Sequence, residues 1–408
     1  MLKLNSKLIP VLMTLYMASV LVFSTSTSLN RYSQLIYILT FGTCAAILML
    51  NKVHFKFDAF LGIMALFIIF CMFGLFWAKS QPAAYEKIST LIQLFIMSMV
   101  LFNYFINTKK TSTVISAIFI SGIISSLYIL SYYGISGYIK MLTDGERAGV
   151  EITNVNSIGM YMAFTVIIGF YYAYIEKRKI SYLLIILPFI MSLGSGSRKA
   201  LLTIAIGIIL IIFMDYAKKV DIEKIFKIFF IAIVFVIFAM WISSLPIFNT
   251  VFERFDSMLA SGAKKEHSAY IREKMIEIGW KYFLEHPFTG CGIGNSFYIT
   301  LKGVGRNTYL HNNFIELLAS VGIIGFTIYY SIYIYILSNL YKIYKKTNEQ
   351  KIGIILILIF IRMIMDYGMV SYYDKMTSID LTVAAAEIYI FKIRKKEEIV
   401  VQQNIEGY

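Results

Sequence analysis

One histidine in this chain stands where a polar segment gives way to an apolar helix. His311 is followed by Asn312 and by an apolar stretch that contains Gly322 and Gly325. Histidine is the usual general base near neutral pH, and at such a junction it could reach both a water-side acceptor and a lipid-borne donor. The structural alternative is a histidine that only orients the loop before the helix.

Four arginines lie in segments that we predict to be on one side of a membrane: Arg147, Arg198, Arg254 and Arg272. Arg198 and Lys199 follow a Gly-Ser-rich tip, whose backbone N–H groups could bind an anion. Arginine forks can each hold two phosphate oxygens, so such a group could neutralise a diphosphate without a metal ion. The alternatives are an arginine that snorkels to the membrane interface for Arg198 and a solvated helix face for Arg272.

The composition predicts a polytopic membrane protein. Of the 408 residues, 58% are hydrophobic and 15% are charged, whereas soluble domains have about 25% charged residues. Among the three cysteines, only Cys291 lies in a polar segment, which excludes a disulfide framework and a cysteine-based metal site. We therefore predict a single polytopic membrane domain over residues 1–408.

About twelve transmembrane helices are predicted from the apolar runs. They lie near residues 8–25, 35–50, 59–77, 88–106, 114–134, 158–174, 182–195, 199–214, 228–244, 316–340, 352–369 and 376–391. Alternate connections carry most of the lysine and arginine, so the positive-inside rule places both termini in the cytoplasm. Residues 182–214 could be one broken helix, but the basic segments on both sides favour a hairpin.

One large extracytoplasmic loop, residues 245–311, is predicted to carry an amphipathic helix from Ser268 to Glu285. A stripe at helical spacing supports this helix, and its members are Ile271, Met275, Ile278 and Tyr282. Pro287 ends the helix, and Gly290, Gly292 and Gly294 predict a tight turn. Their spacing does not fit a dinucleotide fingerprint.

Two further features concern charge. Arg362 and Asp366 lie four residues apart in an apolar helix, which predicts a structural pair, with an ion or proton path as the alternative. The acidic residues predicted outside are scattered, so we expect no metal site.

These motifs resemble the O-antigen ligase and Wzy-type polymerase superfamily. His311-Asn312, followed after nine residues by Gly322 and then Gly325, resembles its histidine signature. Arg272 with Ile276 resembles its Arg-x3-Leu motif, with isoleucine in place of leucine. Three further segments resemble its other elements: His286-Pro287 with Gly290 and Gly292, Ser197-Arg198-Lys199-Ala200, and Arg147 with Asn154 and Asn156.

The resemblance implies an all-α, GT-C-like membrane glycosyltransferase without a metal or other cofactor. It would move a glycan from undecaprenyl diphosphate to an acceptor hydroxyl on the outer face of the cytoplasmic membrane, with inversion. His311 would be the base, with Arg272 and Arg198 completing the catalytic group. Arg147, Arg254, Lys199 and Asn312 would bind the diphosphate or glycan.

We expect a polysaccharide polymerase for capsule, exopolysaccharide or O-antigen, acting beside membrane lipid with a flippase and a chain-length regulator, and without nucleic acid. The Ile-, Lys- and Asn-rich composition is typical of AT-rich bacteria, many of which lack lipopolysaccharide. An O-antigen ligase and a protein O-oligosaccharyltransferase are alternatives within the family. A lipid-linked oligosaccharide flippase and a non-enzymatic assembly scaffold are alternatives from other classes.

Overall fold

A computed structural model describes residues 7–23, 27–144, 146–147, 149, 151–152, 154–216 and 267–406. Its longer helices are α1 (Leu8–Phe23), α2 (Thr27–Leu50), α3 (Ala59–Phe73), α4 (Gln81–Thr108), α5 (Ser112–Thr143), α6 (Val155–Tyr174), α7 (Ile180–Leu184), α8 (Ile186–Gly194), α9 (Arg198–Tyr216), α10 (His267–Glu285), α11 (Phe297–Val304), α12 (Asn313–Thr347), α13 (Gln350–Met365) and α14 (Lys375–Glu406). A short 3-10 helix, Gly74–Phe76, follows α3. The described part of the chain contains no strand, as the sequence predicts.

Six of these helices are long and apolar enough to cross a membrane. They are Asn30–Leu50, Ala59–Phe76, Gln81–Thr108, Ser112–Thr143, Val155–Tyr174 and Asn313–Thr347, and the two shorter apolar helices are Leu8–Phe23 and Ile180–Gly194. Large apolar side chains such as Met49 (69% exposed) and Ile334 (68% exposed) face outward, as a lipid environment requires. The chain is a multi-pass membrane protein. The predicted span 228–244 lies outside the described residues, and the twelve-span topology stays a prediction.

The helices divide into two compact units. The first unit comprises Met1–Ile9, Phe41–Ser112 and Ser268–Tyr408, and the second comprises Pro10–Thr40 and Thr113–His267. The prediction of a single domain over 1–408 stays a prediction.

In the first unit, α12 packs against α3 and α13, and α14 packs against α4. The rings of Phe67 and Tyr329 lie 5.4 Å apart between α3 and α12. One turn earlier in α12, a Cβ on Gly325 would lie 2.9 Å from the Phe70 ring. Glycine therefore allows α12 to lie close to α3 at the level of the histidine motif.

In the second unit, α6 packs against α8 and α9. Helix α5 bends at Gly134, whose φ of 68° interrupts the helical backbone. The predicted span 114–134 ends at this bend, but the helix resumes and continues to Thr143. The reason is apolar packing, since Tyr138, Met141 and Leu142 join a core cluster with Met191.

The predicted pair between Arg362 and Asp366 is replaced by a different arrangement. Arg362 forms its ion pair with Asp380 of α14. Asp366 is the C-cap residue of α13, and it accepts hydrogen bonds from Ser371 and Tyr330. Because Asp366 lies at the end of the helix, its carboxylate turns toward the start of α12 rather than along the helix face.

Candidate active site

The glycine turn of the first unit is joined to α12 by backbone hydrogen bonds. Gly290, Gly292 and Gly294 have φ values of 61°, 90° and 72°, which favour glycine because it has no Cβ. The N–H of Cys291 donates to the carbonyl of Ala319 at 2.9 Å, and the N–H of Gly292 donates to Ser320 at 2.9 Å. The predicted tight turn is confirmed, and it is held against the helix that carries the histidine signature.

A break in α12 at Gly322 makes this joint possible. Gly322 has φ 64° and ψ −173°, so the helical ladder is interrupted and the carbonyls of the preceding turn become available. The N–H of Ile323 donates instead to the carbonyl of Pro287 at 2.8 Å. The segment from 287 to 292 and the break at Gly322 thus complete each other's backbone hydrogen bonds, as buried polar groups require. We call this arrangement the loop–helix joint.

Residues just before α4 also hold the glycine loop in place. The indole N–H of Trp77 donates to the carbonyl of Thr289 at 2.9 Å. Asn295 is fully buried, and its amide oxygen accepts from the N–H of Ser80 at 2.6 Å, while its amide nitrogen donates to the Ser80 carbonyl at 3.2 Å. The loop is therefore fixed on two sides.

Cys291 lies inside this joint and is 1% exposed. Burial raises the pKa of its thiol to about 12. The nucleophilic form of cysteine is the thiolate, so Cys291 is a packing residue at neutral pH.

Glu316 positions the segment that leads to His311. One carboxylate oxygen accepts from the hydroxyl of Ser296 at 2.6 Å, and the other accepts from the N–H of Leu310 at 2.9 Å. Glu316 is 2% exposed, so these bonds form away from water. The residue before His311 is thereby tied to the first turns of α12.

The asparagines after His311 are structural in this arrangement. Asn312 is the N-cap of α12, and its amide oxygen accepts from the N–H of Ile315 at 3.0 Å. Asn313 is fully buried and donates to Tyr330 at 2.9 Å and to Asp366 at 3.1 Å. Asn312 is 2% exposed, so this cap would have to open before its oxygen could bind a glycan.

His311 itself has a left-handed backbone, with φ 58°. Such a conformation is uncommon for a residue other than glycine. The side chain is partly exposed, and its ring lies 4.2 Å from that of Tyr309, with 47° between the planes. The predicted position, between a loop and the start of an apolar helix, is confirmed.

Arg272 lies on the amphipathic helix α10, which begins one residue before the predicted start. The stripe residues Ile271, Met275, Ile278 and Tyr282 pack in one core cluster, together with Leu310. Arg272 is partly exposed at the edge of that cluster. Burial raises the pKa of Tyr309, and Arg272 opposes this by favouring the ionised phenol. Arg272 therefore acts electrostatically on Tyr309, the residue whose ring lies against that of His311.

Lys87 of α4 is a nearby cation that sequence analysis missed. Its ammonium lies 3.5 Å from the centroid of the Tyr373 ring and interacts electrostatically with Glu316. The sequence could have indicated Lys87, because Lys87 and Glu316 are opposite charges that each lie at the polar end of an apolar run. Such charges near membrane depth often mark a functional site.

The second unit holds the other predicted cations. Arg147 donates from Nε to the carbonyl of Ser195 at 2.8 Å and from its NH2 group to the amide oxygen of Asn156 at 2.9 Å. Asn154 caps α6 by accepting from the N–H of Asn156 at 3.0 Å. The predicted Arg147 and asparagine elements thus meet at the turn that precedes Arg198.

Arg198 and Lys199 open α9 immediately after this turn. Gly196 has φ 60°, and a Cβ on Gly159 of α6 would lie 2.4 Å from the Ser195 hydroxyl oxygen. Both cations are partly exposed, whereas Ser195 and Ser197 are buried. The tip predicted at Gly194–Lys199 is confirmed as a turn between two helices.

The predicted site residues are distributed as follows. Arg272, His311 and Asn312 belong to the first unit, and Arg147, Arg198 and Lys199 belong to the second. Arg254 lies outside the described residues. Within the described ranges, no group of three or more His, Cys, Asp or Glu side chains could hold a metal ion.

Replacing Glu316 tests the support of His311. Glu316→Ala leaves the buried N–H of Leu310 without a partner and should lower the unfolding free energy by about 1–3 kcal/mol. Glu316→Gln should cost less, because its carboxamide can accept from Leu310 and donate to Ser296. Thermal unfolding of the purified proteins measures the difference, and equal midpoints for the two variants would contradict this support.

Part of the chain, including most of the candidate site, is similar to known proteins. The sequence model described as O-antigen ligase matches residues 183–330, which include Arg198, Arg272, His311 and Gly322. The chain is also 23% identical over 308 residues to the teichuronic acid biosynthesis protein TuaE of Bacillus subtilis strain 168. That match covers 70% of this chain and 62% of the relative's length.

The predicted resemblance to the O-antigen ligase and Wzy-type superfamily is therefore confirmed over residues 183–330. Arg147 lies before the matched residues, so the family match does not include it.

Proposed function

We propose that the protein is a membrane glycosyltransferase that polymerises a polysaccharide from an undecaprenyl-diphosphate-linked donor. The observation that carries the proposal is the fixed loop in which the His311 ring lies against Tyr309, while the helix that bears Arg272 packs against Leu310, inside the residues that match the O-antigen ligase family. The relative named for teichuronic acid biosynthesis supports a polysaccharide product. The transfer would take place on the outer face of the cytoplasmic membrane, with both termini cytoplasmic.

His311 is the general base in the proposed reaction. Its imidazole takes the proton from the acceptor sugar hydroxyl as the hydroxyl oxygen bonds to the anomeric carbon of the donor. The bond between that carbon and the diphosphate oxygen breaks, and the lipid diphosphate leaves with the electron pair. A single displacement of this kind inverts the anomeric centre.

Arg272 stabilises the negative charge that develops on the leaving diphosphate. A guanidinium can hold two phosphate oxygens at once, and donors aimed at developing charge contribute more than donors exposed to bulk water. Arg198, with Arg147 and Lys199 beside the same turn of the second unit, keeps the diphosphate- or glycan-binding role that the family resemblance implies. Arg254 keeps its proposed role in this group.

Arg272→Ala should reduce transfer by roughly 10²–10³-fold, by analogy with removal of one charge-stabilising donor. Arg272→Lys should recover part of the rate, since it restores the charge without the fork. Lys281→Ala is the matched control, because Lys281 is exposed on the same helix. If Lys281→Ala reduced the transfer rate as much as Arg272→Ala does, the reduction would come from the loss of positive charge on α10 and not from a specific role of Arg272.

Arginine side chains supply the cations in this mechanism, so chelation should not stop it. We expect the transfer rate to be unchanged after treatment with EDTA and gel filtration. Activity that falls and returns with added magnesium or manganese would replace the arginine assignment with a metal ion.

The function is tested with a defined donor. Purified protein in lipid nanodiscs is incubated with an undecaprenyl-diphosphate-linked repeat unit, and the products are separated by length. A ladder indicates a polymerase. One transfer to lipid A core or to a protein hydroxyl indicates a ligase or a protein glycosyltransferase, and movement across the bilayer without a new glycosidic bond indicates a transporter.

A further inference from the structure

A basic cavity of the first unit lies apart from the candidate active site. Its volume is about 580 Å³. It is formed by the residue before α3, by the end of α12 and by α14. Its lining residues include Lys342, Lys346, Lys392 and Lys395, together with Asp58 and Asn339. The positive-inside rule places this end of the helices on the predicted cytoplasmic face.

The charges of the cavity favour an anion. Four lysines line it, and Asp58 is the acidic residue among the lining residues. Asp58 accepts from the Tyr335 hydroxyl at 2.9 Å, and that hydroxyl accepts from the Lys392 ammonium at 3.0 Å. The single carboxylate therefore already has a hydrogen-bond donor, and Lys392 is held at the rim.

The apolar wall of the cavity favours an anion that belongs to a lipid. Ile343, Phe391 and Ile393 line it together with the lysines, and the Lys346 ammonium lies 6.0 Å from the Phe391 ring centroid. The cavity also lies where the apolar part of α12 gives way to lysines, and such basic helix ends meet the headgroup layer of a membrane. The phosphate of such a lipid would contact the lysines. The first carbons of its acyl chains would contact the apolar side chains.

We propose that this cavity binds the phosphate headgroup of an anionic membrane lipid. Membrane topology explains why lysines occur on this face, but it does not distinguish lysines that line the cavity from those that do not. Lys345 offers this distinction, because it is exposed on the same helical turn as Lys346 and lies outside the lining. Binding of a headgroup requires the lining lysines and not Lys345.

The test is native mass spectrometry of the full chain in a neutral detergent, titrated with phosphatidylglycerol and, in parallel, with phosphatidylcholine. Each lysine beside an anionic lipid contributes a factor of roughly five in affinity, so a triple variant should lose roughly 100-fold. That variant carries Lys342→Gln, Lys346→Gln and Lys392→Gln. Lys345→Gln should bind phosphatidylglycerol like the wild type, and thermal unfolding shows that each variant is folded.

The outcomes separate the sources of the phosphate. Preference for phosphatidylglycerol, lost in the triple variant alone, supports the proposal. Equal binding of glycerol 3-phosphate and phosphatidylglycerol would overturn the lipid assignment in favour of a soluble phosphate ester. Equal loss in the triple and Lys345→Gln variants, or no preference over phosphatidylcholine, would overturn the site. None of these results depends on the glycosyltransferase proposal.

Discussion

His311→Asn should reduce glycan transfer by roughly 10²–10⁴-fold, the contribution expected of a general base. Asparagine is the informative replacement because His311 has a left-handed backbone with φ 58°, and asparagine adopts this conformation more readily than most residues. The variant therefore removes the base and retains the turn. The rate is measured with saturating lipid-linked donor, and thermal unfolding should show a midpoint close to that of the wild type.

His286→Asn is the matched control for this prediction. His286 is exposed in the same loop, and its ring lies 4.7 Å from that of Tyr282. It should retain near wild-type transfer. If His311→Asn kept the wild-type rate, or if both histidine variants lost it equally, the assignment of His311 as the base would be wrong.

Among the variants described, Gly322→Ala should lower the free energy of unfolding the most, by about 3 kcal/mol or more. Its backbone, with φ 64° and ψ −173°, lies in a region that is essentially restricted to glycine. A Cβ there would also lie 2.4 Å from the carbonyl carbon of Phe288, so the loop–helix joint could not close. Reversible unfolding in mixed detergent micelles measures the free energy.

Gly305→Ala separates the two causes. Gly305 has φ 69° and no atom within 4 Å of an added Cβ, so this variant adds only the left-handed backbone strain, about 1–2 kcal/mol. If Gly322→Ala lowered the free energy of unfolding by no more than Gly305→Ala does, the loop–helix joint would tolerate separation of the loop from α12.

Local patterns predicted the elements of the site well. The stripe in α10 repeats at helical spacing, and the helix begins within one residue of its predicted start. The glycine turn and the tip before Arg198 were also predicted, because glycine marks backbone that other residues rarely adopt. The predicted span end near residue 134 coincides with a bend, but the helix continues to Thr143, since Gly134 bends the helix without ending it.

The support of His311 could not be predicted from local patterns. Glu316 contacts Ser296, which lies 20 residues earlier, and Asn313 contacts Asp366, which lies 53 residues later. Helical periodicity identifies the face of a helix but not its partner across such distances. For the same reason, the charge spacing that suggested a pair between Arg362 and Asp366 did not identify Asp380 as the partner.

The loop–helix joint also bears on how sequences of this kind can diverge. Its hydrogen bonds join main-chain atoms, which are the same whichever side chains occupy positions 291, 319, 320 and 323. Substitution there changes packing volume but leaves every donor and acceptor in place, whereas a side chain at Gly290 or Gly322 meets backbone directly. Substitutions are therefore tolerated at the positions between the glycines and disfavoured at the glycines themselves. A short, spaced glycine pattern would then persist while the side chains between the glycines change.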